Sequence, residues 1–211
     1  MELQQSTGPP PQPSSFIEWA VARKEKSQGP HKALLPVVKS TPSGTLAVLI
    51  EANGLGDEGM ELAKYAATVW EDYTYQALTE LFNRCEHLCR GTSGVAVSAV
   101  LINSRSHSIS WCGAGNVQGV LFHRNAAAEP RYHRLITDNA LLGSGSCILR
   151  EMRVPVKPGD LVIFASDGVS PKFVDALPID GKPRLVADEL LANHCKEDTD
   201  CALVLVRYLG N

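Results

Sequence analysis

Residues 46–59, LAVLIEANGLGDEG, decide how the chain folds: an unbroken apolar run from Leu46 to Ile50 ends abruptly at polar residues beside glycine. A run without polar alternation suits a strand covered on both faces rather than one with a wet side. Upstream, FIEWAVA from Phe16 and ALLPVV from Ala33 read as two more strands, the second followed by the turn signal Thr41-Pro42-Ser43-Gly44. Downstream, Gly54 to Gly59 reads as a loop, and from Met60 the spacing of Leu62, Tyr65, Ala66, Val69 and Trp70 predicts a helix ending near Asp72. A second helix is expected from near Thr74, with Leu78, Leu81, Phe82, Cys85 and Leu88-Cys89 on one side and a stop at Gly91.

Beyond Gly91 the segments GVAVSAVLIN, SHSISWCGAG and VQGVLFHR, separated by turn-like residues, read as an antiparallel meander that EMRVPV and DLVIFAS continue. A helix from about Arg184 to His194 and a last strand, CALVLVRYL, close the chain. Strands and helices that come in runs rather than alternating predict an α+β fold, a β-sandwich of mostly antiparallel sheets flanked by α-helices. The first fifteen residues, MELQQSTGPPPQPSS, have too few large apolar side chains to offset their ordering entropy and read as a flexible tail; residues 16–211 read as a single domain.

The chain has 211 residues, 44% apolar, with 20 Lys+Arg against 23 Asp+Glu and a formal charge of -3. That balance offers no pull toward nucleic acid or anionic lipid. No stretch approaches the roughly 20 apolar residues that span a bilayer, and no basic region followed by an apolar segment opens the sequence, so a cytoplasmic protein is expected. The six cysteines show neither C-x-x-C pairs nor zinc spacing and read mostly as reduced core thiols.

Three segments place polar residues at a strand end: LAVLIEANGLGDEG, LVIFASDGVS and EDTDCALVLV. In a sandwich such ends can meet at one edge, where carboxylates reach a metal or a phosphate without being buried unpaired. Asp167, followed by Gly168, is the strongest candidate, and it is equally a turn-starting aspartate. Asp198 and Asp200 flank Thr199 before the last strand, as site residues or as solvated charges. Asn53-Gly54-Leu55-Gly56 with Asp57-Glu58 has the makings of a helix start in its own right. His31 is either a ligand or a surface histidine, and His87, His107, His123, His133 and His194 have no motif around them.

Taken in order, Asn53-Gly-Leu-Gly before a helix, Phe164-Ala-Ser-Asp-Gly-Val169 and the acidic entry to the last strand resemble the metal-dependent Ser/Thr protein phosphatases (PPM) of the SpoIIE and RsbX type. The likeness covers roughly residues 25–208, and Arg90-Gly91-Thr92-Ser93 with Trp111-Cys-Gly-Ala-Gly-Asn-Val117 resembles the RsbX branch. The resemblance implies a sandwich edge binding two Mn²⁺ or Mg²⁺ ions that activate a water against phosphoserine or phosphothreonine. It implies phosphorylated signalling proteins of a stressosome-like complex as partners, a monomer, and catalytic roles for Asp167, Asn53 and Asp200. Metal ligands would be Asn53, the Gly54 carbonyl, Asp167, Asp200 and His31. An alternative is a catalytically impaired pseudophosphatase that binds phosphoproteins. Asn53 stands where the family has its bridging aspartate, Pro30-His31 stand near its early Gly-Asp, and Thr199 takes the first place of its terminal Asp-Asp.

Overall fold

The computed structural model describes residues 16–41, 44–72, 77–125, 127–128, 130–177 and 181–210. The proposed tail, and the expected helix start at Thr74, lie outside them. The strands are β1 (Ile17–Lys24), β2 (Lys32–Thr41), β3 (Gly44–Leu55), β4 (Val95–Asn103), β5 (Ser108–Ala114), β6 (Gln118–Phe122), β7 (Tyr132–Leu135), β8 (Met152–Pro155), β9 (Leu161–Ala165) and β10 (Cys201–Tyr208). The α-helices are α1 (Gly56–Glu71), α2 (Leu78–Leu88) and α3 (Pro183–His194), with a 3-10 turn at Pro171–Ala176.

Two five-stranded sheets, ordered β1-β10-β9-β6-β7 and β2-β3-β4-β5-β8, carry antiparallel pairs throughout. Side chains one apart on a strand point to opposite faces, and β9 and β10 use both. Val162, Phe164, Val204 and Val206 join a core shared with the second sheet, α1 and α2. Leu161, Ile163, Leu203 and Leu205 join a second core with Val186, Leu190 and Phe173 under α3 and the 3-10 turn. Residues 44–52 of β3 are all buried, Leu46 to Ile50 as their apolar run predicts. The expected sandwich with helices outside both sheets is the observed fold.

Three local expectations change. Helix α1 starts at Gly56 rather than Met60, so the expected loop is the end of β3 followed by the first helical turn, with Asp57 and Glu58 at its positive end. The meander breaks after β5: the Gly115 amide donates to the Asp138 carbonyl, and β6 crosses into the opposite sheet to pair with β9 and β7. Hydrophobic pattern alone cannot assign a strand to one of two sheets that share a core. Strand β7, Tyr132–Leu135, is not among the expected strands.

The reading of the cysteines as reduced thiols is corrected for one pair: Cys195 at the end of α3 and Cys201 at the start of β10 form a disulfide across Cα atoms 6.0 Å apart. Linear spacing does not reveal that the intervening turn folds back on itself, so cysteine usage no longer argues for a reducing compartment. Closing so short a loop contributes about 2 kcal/mol by chain entropy. Reduction, or Cys201→Ser, is therefore expected to lower the melting temperature by about 4–8 °C in a chain of this size. A thermal melt with and without dithiothreitol checks this, and an unchanged midpoint would show the bond to be thermodynamically idle.

Candidate functional site

The three acidic strand ends come together at one edge of the sandwich. A register shift between β2 and β3 near Lys32 and Leu34 sets Lys32 opposite Leu55 at the open end of the pair. From there the Lys32 ammonium reaches Glu51 Oε1 on β3 at 3.0 Å and Asp167 Oδ1 beyond β9 at 2.5 Å. Glu51 is 8% exposed and Asp167 34%, so one carboxylate sits inside and the other at the mouth. Glu51 Oε2 also accepts from the Asp167 amide at 3.4 Å. Asp167 Oδ2 accepts from the Asn116 side-chain amide at 3.2 Å, and the Asp167 carbonyl from Lys196 Nζ at 2.6 Å.

Asp200 lies behind this pair with only 3% of its side chain exposed. Its Oδ1 bonds the Lys26 amide and His31 Nδ1, each at 2.9 Å, and its Oδ2 accepts from the Lys32 amide at 2.7 Å. Burial works to raise its pKa, but the two amides and His31 outweigh burial and hold it below the usual carboxylate range. Burial likewise opposes the Lys32 ammonium, and Asp167 and Glu51 overcome it, leaving that pKa above its ordinary value. Burial first, and the neighbouring Asp167 charge second, push the Glu51 carboxyl up against the partial relief from Lys32.

Two glycines permit this closeness. A Cβ at Gly168 would stand 2.3 Å from the Asp200 carbonyl oxygen, and one at Gly59 would stand 2.7 Å from the Gly54 carbonyl, so each glycine lets two backbones touch. The Asn53 side-chain amide donates to the Ser93 carbonyl and its backbone amide to Gly94, both at 2.9 Å. A cleft of about 430 Å³ opens above, lined by Lys32, Glu51, Asn53, Gly54, Asn116 and Asp167 among others.

Asn53, Gly54, Asp167, Asp200 and His31 thus occupy one neighbourhood, with His31 bound to Asp200 and Asn53 held by the Ser93–Gly94 segment. Asp198 is exposed in a turn with φ of 49° and makes no part of it. Sequence reasoning missed Lys32 and Glu51. The available signal was Glu51 itself, a charge directly after five apolar residues in a strand covered on both faces, since a buried carboxylate demands a cation.

Residues 57–208 match the family of Stage II sporulation protein E (SpoIIE). The fold is similar to that of RsbX in complex with magnesium, at 15% identity over 93% of this chain and 98% of that one, with a TM-score of 0.83. It is similar also to a structure from work on the bacterial stressosome as a modular system adapted to control secondary messenger signalling, at 16% identity, 90% and 99% coverage and a TM-score of 0.80. A structure of the PP2C phosphatase domain and a fragment of the regulatory domain of SpoIIE from Bacillus subtilis aligns at 14% identity over 92% of this chain and 63% of that one, with a TM-score of 0.68. No curated protein matches by sequence. The chain belongs to the SpoIIE family of PPM-type phosphatases.

Such phosphatases use Mn²⁺ or Mg²⁺, and the residues of this edge do not fit a pair of divalent ions. The Lys32 ammonium already bridges Glu51 and Asp167, and Asp200 spends its oxygens on two amides and a histidine. Asn53 brings no charge. A dication about 4 Å from that ammonium would meet a repulsion of about 8 kcal/mol at an effective dielectric of about 20. Among the described residues, no group of three or more His, Cys, Asp or Glu is arranged to hold a metal ion.

Proposed function

We propose that this chain is a regulatory member of the family that recognises phosphoserine or phosphothreonine on proteins of a stressosome-like complex, with hydrolysis impaired. The observation that carries the reading is the Lys32 ammonium lodged between Glu51 and Asp167, where the family's chemistry calls for metal. The cleft above is lined by Asn53, Asn116 and Asn139 among others, and the exposed Lys196 stands beside Asp167. Amide and ammonium groups of this kind donate to phosphoryl oxygens. The RsbX-like segments Arg90–Ser93 and Trp111–Val117 support the choice of complex, and we place the protein in the cytoplasm as a monomer.

A second reading, a working metal-dependent phosphatase acting on the same proteins, draws on the retained Gly54–Gly59 contact, a costly feature to keep at an edge without chemistry. One experiment separates the two: calorimetric binding of a phosphoserine protein and of its unphosphorylated form, beside a phosphate-release assay with Mn²⁺. We expect at least tenfold tighter binding of the phosphorylated form and no release above the uncatalysed rate. Release that requires Mn²⁺ and disappears in Asp167→Asn would establish the phosphatase instead, and equal binding of the two forms would remove the recognition reading.

A further inference from the structure

The Lys32 contacts do more than neutralise two carboxylates. Residue 32 belongs to β2 in one sheet, and its ammonium crosses to Asp167, which follows β9 in the other. Its backbone amide crosses as well, to Asp200 before β10. Glu51 sits on β3 beside it and is the most deeply buried oxygen partner of the ammonium. A carboxylate so buried and charged calls for a cation in contact. In strands covered on both faces it is also an unusual residue to find, and the Lys32 ammonium, shared with Asp167, is the cation that accounts for it.

We propose that the Lys32 ammonium is the resident cation of this edge: it holds Glu51, Asp167 and the two sheet ends together as a built-in counter-ion, and its removal opens a divalent-metal site on the same carboxylates. This inference shares the contacts that underlie the recognition reading, and its test does not involve a phosphoprotein. The full chain, Lys32→Met and Lys32→Met/Asp167→Asn are titrated with MnCl₂ by calorimetry, and their melting temperatures are recorded with EDTA and with millimolar Mn²⁺.

The wild type is expected to show no saturable heat and the same melting temperature under both conditions. Lys32→Met keeps much of the apolar stem and is expected to melt lower, to bind Mn²⁺ at least tenfold more tightly than the wild type, and to regain stability with it. The double variant is expected to lose that gain. Should Lys32→Met fail to fold alone, Mn²⁺ present during refolding rescues it under the proposal, and absence of rescue overturns it. Micromolar Mn²⁺ binding by the wild type, or no gain of metal binding in a folded Lys32→Met, overturns it equally. A protein that behaves as expected toward Mn²⁺ yet ignores phosphorylated partners would sink the recognition reading alone.

Discussion

Asp200→Ala is expected to destabilise the protein by about 3–5 kcal/mol, the range for removing one partner from a buried, charge-assisted hydrogen-bond set. The carboxylate accepts from the Lys26 and Lys32 amides and bonds His31, so its loss leaves two backbone donors without their acceptor. It also frees the Lys26–Lys32 segment from β10, and with it the backbone anchor of the Lys32 ammonium. Asp200→Asn retains one acceptor oxygen and should lose less. Urea unfolding of the three proteins checks the order, and an Asp200→Ala loss under about 1 kcal/mol, the scale of a surface pair, would show these contacts to be incidental.

The same carboxylate carries a pH signature. Its folded pKa is depressed, so its contribution is fully present above the unfolded value near about 4 and is lost as pH falls through the folded value. Glu51 runs the other way: its folded pKa is raised, so keeping it charged costs stability that grows as pH rises from the unfolded value through the folded one. Stability measured against pH should therefore fall on the acid side in the wild type, and Asp200→Ala should flatten that limb.

Gly168→Ala is expected to cost about 3 kcal/mol, the upper part of the overpacking range, because its new carbon meets backbone rather than a movable side chain. The carbon would lie 2.3 Å from the Asp200 carbonyl oxygen and 2.9 Å from Thr199 Cγ2. Relief requires the end of β9 to move away from the start of β10, next to the register pair Ala165↔Leu203, and to carry Asp167 away from Lys32. Gly91→Ala is the contrast: nothing lies within 4 Å of the added carbon, and only its φ of 77° is at issue, a matter of about 1–2 kcal/mol. Thermal melts of both variants decide it; a Gly168→Ala loss no larger than that of Gly91→Ala would mean that the two strand ends yield to the added carbon at little cost.

Whereas the two-faced packing of β10 emerges from the fold, the unbroken burial of β3 was legible in the sequence, because an apolar run without alternation has only one comfortable place in a layered fold. So were α3 and the core of α1, where helical spacing leaves a clear apolar face. The order of polar strand ends at Asn53, Asp167 and Asp200 was legible too, and it led to the family. Which sheet receives β6, that Cys195 meets Cys201, and that Lys32 enters the acidic edge were not.

The sequence by itself determined the layered α+β architecture and the residues available at the edge, since burial pattern and turn chemistry are local properties of the chain. Only the tertiary structure decided what those residues do to one another. A lysine 19 positions from Glu51 and 135 from Asp167 becomes their counter-ion only when two sheets bring three distant strand ends within hydrogen-bonding reach. Charge pairing depends on distance in space, and the linear sequence does not contain it.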